Sequence, residues 1–164
     1  MAIKSNAYYR GIVQAALTDA GISEPPVPVE LVAERLGLPV RPVVMPAFFS
    51  GAVINEDGLP VMLVNAGKDE MGRRRVLAHM LGHILAVLDD PQETYPRDTT
   101  MEHTGAEIAV QEFIMPESLV LDQAQKWFND YRYLARLFGV DEQEMLNKMV
   151  DMGLIKQRGI RWDY

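Results

Sequence analysis

The run Val76-Leu77-Ala78-His79-Met80-Leu81-Gly82-His83-Ile84-Leu85 constrains this chain more than any other stretch. Its apolar residues recur at helical spacing, and two of the chain's three histidines fall in it, four residues apart. On an α-helix, positions i and i+4 lie one turn apart on the same face. The periodicity predicts a helix over 68–88, with Asp69 and Glu70 in its first turn, where carboxylates suit the helix dipole. Val76, Leu77, Leu81, Ile84 and Leu85 would seat it in the core and leave both imidazoles facing a cleft with apolar walls. Gly82 costs about 1 kcal/mol relative to alanine inside a helix. It is tolerated where a neighbouring backbone or a ligand approaches closely.

That spacing lets two imidazoles reach one metal ion. In the motif His-Glu-x-x-His the histidines bind zinc and the glutamate is the general base. Here Met80 occupies the glutamate's place. Pairs of histidines at this spacing also occur in helices that bind nothing, so a third donor must be found. A catalytic zinc takes three protein ligands and keeps one position open. The stretch Glu102-His103-Thr104-Gly105-Ala106-Glu107 offers Glu102, His103 and Glu107. His103 and Glu107 are four apart and share a helix face. One of them could bind the metal while the other hydrogen-bonds the far nitrogen of a histidine, fixing its tautomer and orientation.

Composition narrows the alternatives. The chain lacks cysteine, which excludes disulfides and thiolate metal sites within it. The formal charge of −7 opposes a broad basic face, so direct nucleic-acid binding is not expected. The first residues lack the apolar run of a signal peptide. No apolar run approaches the ~18–20 residues needed to cross a bilayer. We therefore expect a soluble, cytoplasmic protein with no membrane partner.

Ser5 to Ala20 reads as a first helix, stopped by Gly21. Glu24-Pro25-Pro26-Val27-Pro28 reads as a stiff extended linker, and Val29 to Leu36 as a short second helix ended by Gly37. Three strands follow. Leu38 to Met45 is broken by prolines, so it belongs on an edge or at a bulge. Phe48 to Ile54 and Leu59 to Asn65 flank Asn55-Glu56-Asp57-Gly58, a hairpin turn signal. Asp89 to Thr100 is polar, carries Pro91 and Pro96, and reads as a loop. Helices are expected over 102–115, 120–128, 131–138 and 142–152, with 159–164 as a tail or short strand. The fold class is α+β: a small three-stranded antiparallel sheet packed on the histidine helix, followed by a C-terminal helical bundle.

These residues together resemble the ImmA/IrrE family of zinc metallopeptidases. The resemblance rests on Val61-Met62-Leu63-Val64-Asn65 and on Arg75-Val76-Leu77-Ala78-His79-Met80-Leu81-Gly82-His83. It extends to Glu112-Phe113-Ile114-Met115-Pro116, to Leu134-Ala135-Arg136-Leu137-Phe138-Gly139-Val140 and to Met152-Gly153-Leu154-Ile155. The family pattern is Ala-His-Glu-Leu-Gly-His, then Glu-x-x-Ala-Asn-x-Phe-Ala, then Leu-Leu-Met-Pro. The resemblance implies a zincin-like core over 1–118 and a C-terminal subdomain over 119–164, packed on it and similar to a helix-turn-helix. It implies zinc held by His79, His83 and His103, the last standing at the family's third-ligand glutamate, with Glu107 as hydrogen-bond partner of a histidine. Glu107 and Glu102 remain alternative third ligands. The implied partner is a helix-turn-helix repressor.

The departure at Met80 decides the functional expectation, because a thioether cannot take a proton from water. A positioned general base is worth ~10²–10⁴ in rate, so weak or absent proteolysis is expected. The competing readings are a catalytically dead protein-binding module and, with less support, a DNA-binding regulator. A recognition helix should be basic at its N-terminal end, and the last helix begins Asp141-Glu142-Gln143-Glu144. The strand Leu59–Asn65, through Val61, Leu63 and Asn65, is expected to be the sheet edge that pairs with an extended substrate.

Overall fold

The computed structural model describes residues 4–90, 92 and 100–156, and over 100–104 it describes the backbone alone. Most of the expected 89–100 loop and the 159–164 tail lie outside the described residues.

Ser5 caps the first helix, α1 (Asn6–Asp19), by accepting the Tyr8 N–H on its hydroxyl. The proline linker leads to α2 (Val29–Arg35). Three strands follow: β1 (Val40–Val43), β2 (Gly51–Glu56) and β3 (Leu59–Asn65). The β2–β3 connection is the two-residue turn Asp57-Gly58. Both residues have positive φ (55° and 83°), and the Asn55 side chain accepts the Gly58 N–H. Positive φ at both central positions defines the turn whose twist matches a hairpin. Four more elements complete the fold after α3 (Glu70–Asp89): α4 (Thr100–Ile114), α5 (Glu117–Lys126), α6 (Tyr131–Phe138) and α7 (Glu142–Asp151). The helix expected from 120 begins at Glu117 instead. Pro116 stands just before it and fixes the backbone for helix entry.

The sheet order is β1-β3-β2, and this corrects two expectations. The sheet is mixed rather than antiparallel: β1 runs parallel to β3 while β2 runs antiparallel to it. The excursion over 44–50 carries the chain past the position next to β1, and the hairpin then returns β3 into that gap. β3 is therefore central and paired along both sides. Val61, Leu63 and Asn65 offer no free main-chain edge; the outer strands are β1, whose prolines suit that place, and β2. Asn65 is buried for a different reason. Its amide donates to the carbonyls of Pro46 and Phe49, and its side-chain oxygen accepts the Gly67 N–H.

One apolar cluster runs through the molecule, from Val13 in α1 to Met149 in α7. It packs Met62 and Val64 of the sheet on Leu77, Met80, Leu81 and Ile84 of α3, and it includes Leu134, Phe138 and Met145. A cut between 118 and 119 falls in the first turn of α5.

Candidate metal centre

Asp69 begins α3 by accepting the Gly72 N–H on its carboxylate. From there Leu77, Ala78, Met80, Leu81 and Ile84 turn inward and are buried. His79 and His83 share the neighbouring face. Their Nε2 atoms lie 3.1 Å apart, and their rings meet edge to face at 73°. Two nitrogens bound to one tetrahedral zinc at ~2.0–2.1 Å would stand roughly 3.3 Å apart. The pair therefore converges at a spacing one zinc ion could bridge.

Glu107 reaches the same site from α4, but on the other side of the ring. Its Oε1 lies 3.7 Å from His79 Nδ1, the nitrogen facing away from the shared focus. That distance is beyond a hydrogen bond and within ion-pair range. Glu102 and His103 belong to the first turn of α4, where only the backbone is described, so their side chains lie outside the described residues. Among the described residues, no group of three or more His, Asp or Glu side chains is placed to hold a metal. His79 and His83 thus fit two positions of a zinc site.

Close helix packing sets these distances. A Cβ added at Gly82 would come within 2.6 Å of the Ala109 Cβ, so α3 and α4 meet at a position that only glycine allows. Gly105 in α4 similarly lies against the Tyr9 ring of α1. Glycine at 82 therefore admits the neighbouring helix, and that helix carries Glu107 to His79.

A cleft of about 380 Å³ opens beside the histidines, lined by Ser50, Gly51, Arg75, Val76, His79 and Glu107. Met80 does not line it but packs in the core beneath Gly51. It is 4% exposed, and its methyl lies 3.2 Å from where a Cβ on Gly51 would stand. A Cβ there would also meet the Leu63 carbonyl at 2.6 Å and Val76 at 2.9 Å. Sequence reasoning did not single out Gly51, although a glycine within an apolar strand signals close backbone approach. Nor did it find Arg75, which lines the cleft and pairs with Glu144 of α7.

The acidic start of α7 is spent on such contacts. Asp141 accepts the Glu144 N–H, Glu144 pairs with Arg75, and Glu142 lies 3.7 Å from Arg132. A second unforeseen group is Glu112, which is fully buried. Its Oε1 accepts the Glu117 N–H at the start of α5 and a bond from Gln14, while Lys148 Nζ stands 3.9 Å from Oε2. Burial outweighs these partners and pushes its carboxyl above the usual range.

Among the described residues, no helix is long and apolar enough to cross a membrane. A solved structure of a Mycobacterium tuberculosis transcriptional regulator has a similar fold. The TM-score is 0.61 at 20% identity, covering 94% of this chain and 50% of that one. This chain thus spans about half the length of the protein it matches. Comparison with curated proteins gives no match. The sequence profile of the IrrE N-terminal-like domain matches residues 33–149, from α2 through α7, and the chain belongs to that family.

Proposed function

We propose that this chain is a metallopeptidase-like regulatory module that holds zinc at His79 and His83 and binds a protein partner in the adjoining cleft, with weak or no cleavage. The observation that carries the reading is the convergence of the two Nε2 atoms at 3.1 Å, with His79 lining a cleft and a buried methionine next to it in the helix. His103 is the proposed third ligand, with Glu102 in the same turn as the alternative. Glu107 stands at the outer nitrogen of His79, which suits it to orient that ring and raise its basicity rather than to complete the metal site.

Zinc at such a site lowers the pKa of its water toward ~7 and polarises a carbonyl. What the chain itself must add is a proton acceptor beside that water. Met80 supplies a thioether, and Glu107 lies on the wrong side of His79. The missing base removes a factor of ~10²–10⁴, so capture of the partner outweighs its hydrolysis. The family resemblance points to a helix-turn-helix repressor as that partner. Direct DNA contact through α7 is opposed by its N-terminal carboxylates and by their engagement with Arg75 and Arg132.

Elemental analysis of the purified protein should find about one zinc per chain, lost in His79→Ala and His83→Ala. Incubated with a helix-turn-helix repressor encoded beside it, the native chain should bind without cleaving, and Met80→Glu should cleave. Absence of zinc in the native chain sinks the metal site. Robust cleavage by the native chain would overturn the assignment of weak proteolysis.

A further inference from the structure

We infer that Arg75 and Glu144 are positioning residues for the metal centre: the α7 carboxylate holds the guanidinium away from Glu107 and so leaves Glu107 to His79. This rests on the proposed function, from which it takes His79 as a metal ligand and Glu107 as the group that orients it.

Helical spacing places the parts. Arg75 stands four residues before His79, one turn away on the same face of α3. Two recesses meet at that turn. The cleft beside His79 is lined by Arg75 and Glu107. A second recess, of about 200 Å³, is lined by the same two residues together with Glu144, Lys148 and Asp151. One cation and one carboxylate thus stand between the histidine and the C-terminal helix.

Those two are not paired with each other. Arg75 pairs with Glu144, and Glu107 lies 3.7 Å from His79 Nδ1. Either carboxylate would attract the guanidinium, and the fold decides between them. Asp141 begins α7 by accepting the Glu144 N–H, which fixes the turn that carries the Glu144 carboxylate. Lys148 lies four residues further along α7, where a lysine ordinarily pairs with a glutamate on the same helix face. Here it is buried and turned to Glu112 and Glu117. Glu144 is therefore left to Arg75. Without Glu144, the guanidinium would turn to the carboxylate that shares both recesses with it. That contact would neutralise Glu107 and draw it off Nδ1. A carboxylate at the outer nitrogen of a ligating imidazole raises its basicity and fixes its orientation, so the loss would reach the metal.

The two ends of one ion pair should then act in opposite directions. In zinc titrations against a fluorescent chelator, Glu144→Gln should weaken binding about three- to tenfold, given the exposure of Glu107 and the usual effect of a histidine's outer partner. Arg75→Gln breaks the same pair but removes the competing cation, so its affinity should equal or exceed the native one. Adding Arg75→Gln to Glu144→Gln should restore the affinity. In a Glu107→Gln chain, Glu144→Gln should have no further effect. A merely structural role for the pair predicts equal weakening in both single variants, whose melting temperatures are measured alongside. Equal weakening overturns the inference. So does native affinity in Glu144→Gln, the result expected if the freed guanidinium turns to Asp151 instead. The nitrogen-15 shift of His79 Nδ1 in metal-free protein reads the same contact without zinc. It should move in Glu144→Gln and return in the double variant. A chain that takes up no zinc but shows this pattern supports the inference and overturns the metal site. A shift indifferent to Glu144→Gln overturns the inference, and zinc uptake by that chain leaves the metal site standing.

Discussion

Burial in the fold controls the protonation of Glu112. A buried carboxylate without full compensation is costly when ionised. Its Oε2 has no hydrogen bond among the described residues, and Lys148 is shared with Glu117 at 3.3 Å. The folded carboxyl therefore titrates above its ordinary unfolded value. Between those two values the folded state binds the extra proton, so stability must fall as pH rises through that window and then level off. Glu112→Gln keeps an acceptor for the Glu117 N–H and removes the titration. The variant should show a flatter stability–pH curve on the alkaline side of the ordinary carboxylate range, and no loss at neutral pH. Glu112→Ala should lose about 2–4 kcal/mol, from the cavity and the orphaned N–H together. Urea melts across pH decide it: an unchanged slope in Glu112→Gln would show that another group titrates.

At the scale of elements, β2 has no strand beyond it among the described residues, and proline separates its two sides. Val53 points its N–H away from the sheet, so Val53→Pro removes an outward donor and leaves the β2–β3 ladder intact. It should cost about 1 kcal/mol in lost apolar contact and should abolish binding of extended peptides. Ile54→Pro removes a ladder bond to Val61 and should destabilise the hairpin far more. Equal peptide affinity in native and Val53→Pro protein would rule out strand addition at this edge. The sequence made the hairpin legible, because Asp57-Gly58 allows positive φ and β3 runs from Leu59 to Asn65 as its pattern implies. It made α3 and the His79–His83 pair legible through period and spacing alone. Strand order was not legible: β-branched patterning shows that a strand is buried on one face but not which strands flank it. The same limit hid Gly51 and Arg75, whose roles depend on what the fold brings opposite them.

For the whole molecule, the question is whether the C-terminal helices are an appendage or part of the body. Leu134, Phe138, Met145 and Met149 are fully buried in the same cluster as Leu81 and Phe113. Fully burying four such side chains contributes about 6–12 kcal/mol by transfer from water, an upper estimate. A domain of this size is typically stable by ~5–15 kcal/mol in total. Two polar links add to the apolar seam: Arg75 of α3 with Glu144 of α7, and Lys148 of α7 with Glu112 and Glu117. Removing residues 119–164 would expose the apolar face and take Lys148 away from Glu112. The full chain should therefore melt in one transition, coincident by near- and far-ultraviolet circular dichroism. A 1–118 fragment should lack a cooperative transition and should bind zinc weakly, since α3 would no longer be held against α7. A fragment that melts cooperatively and retains native zinc affinity would make the C-terminal helices a separate unit resting on a self-sufficient core.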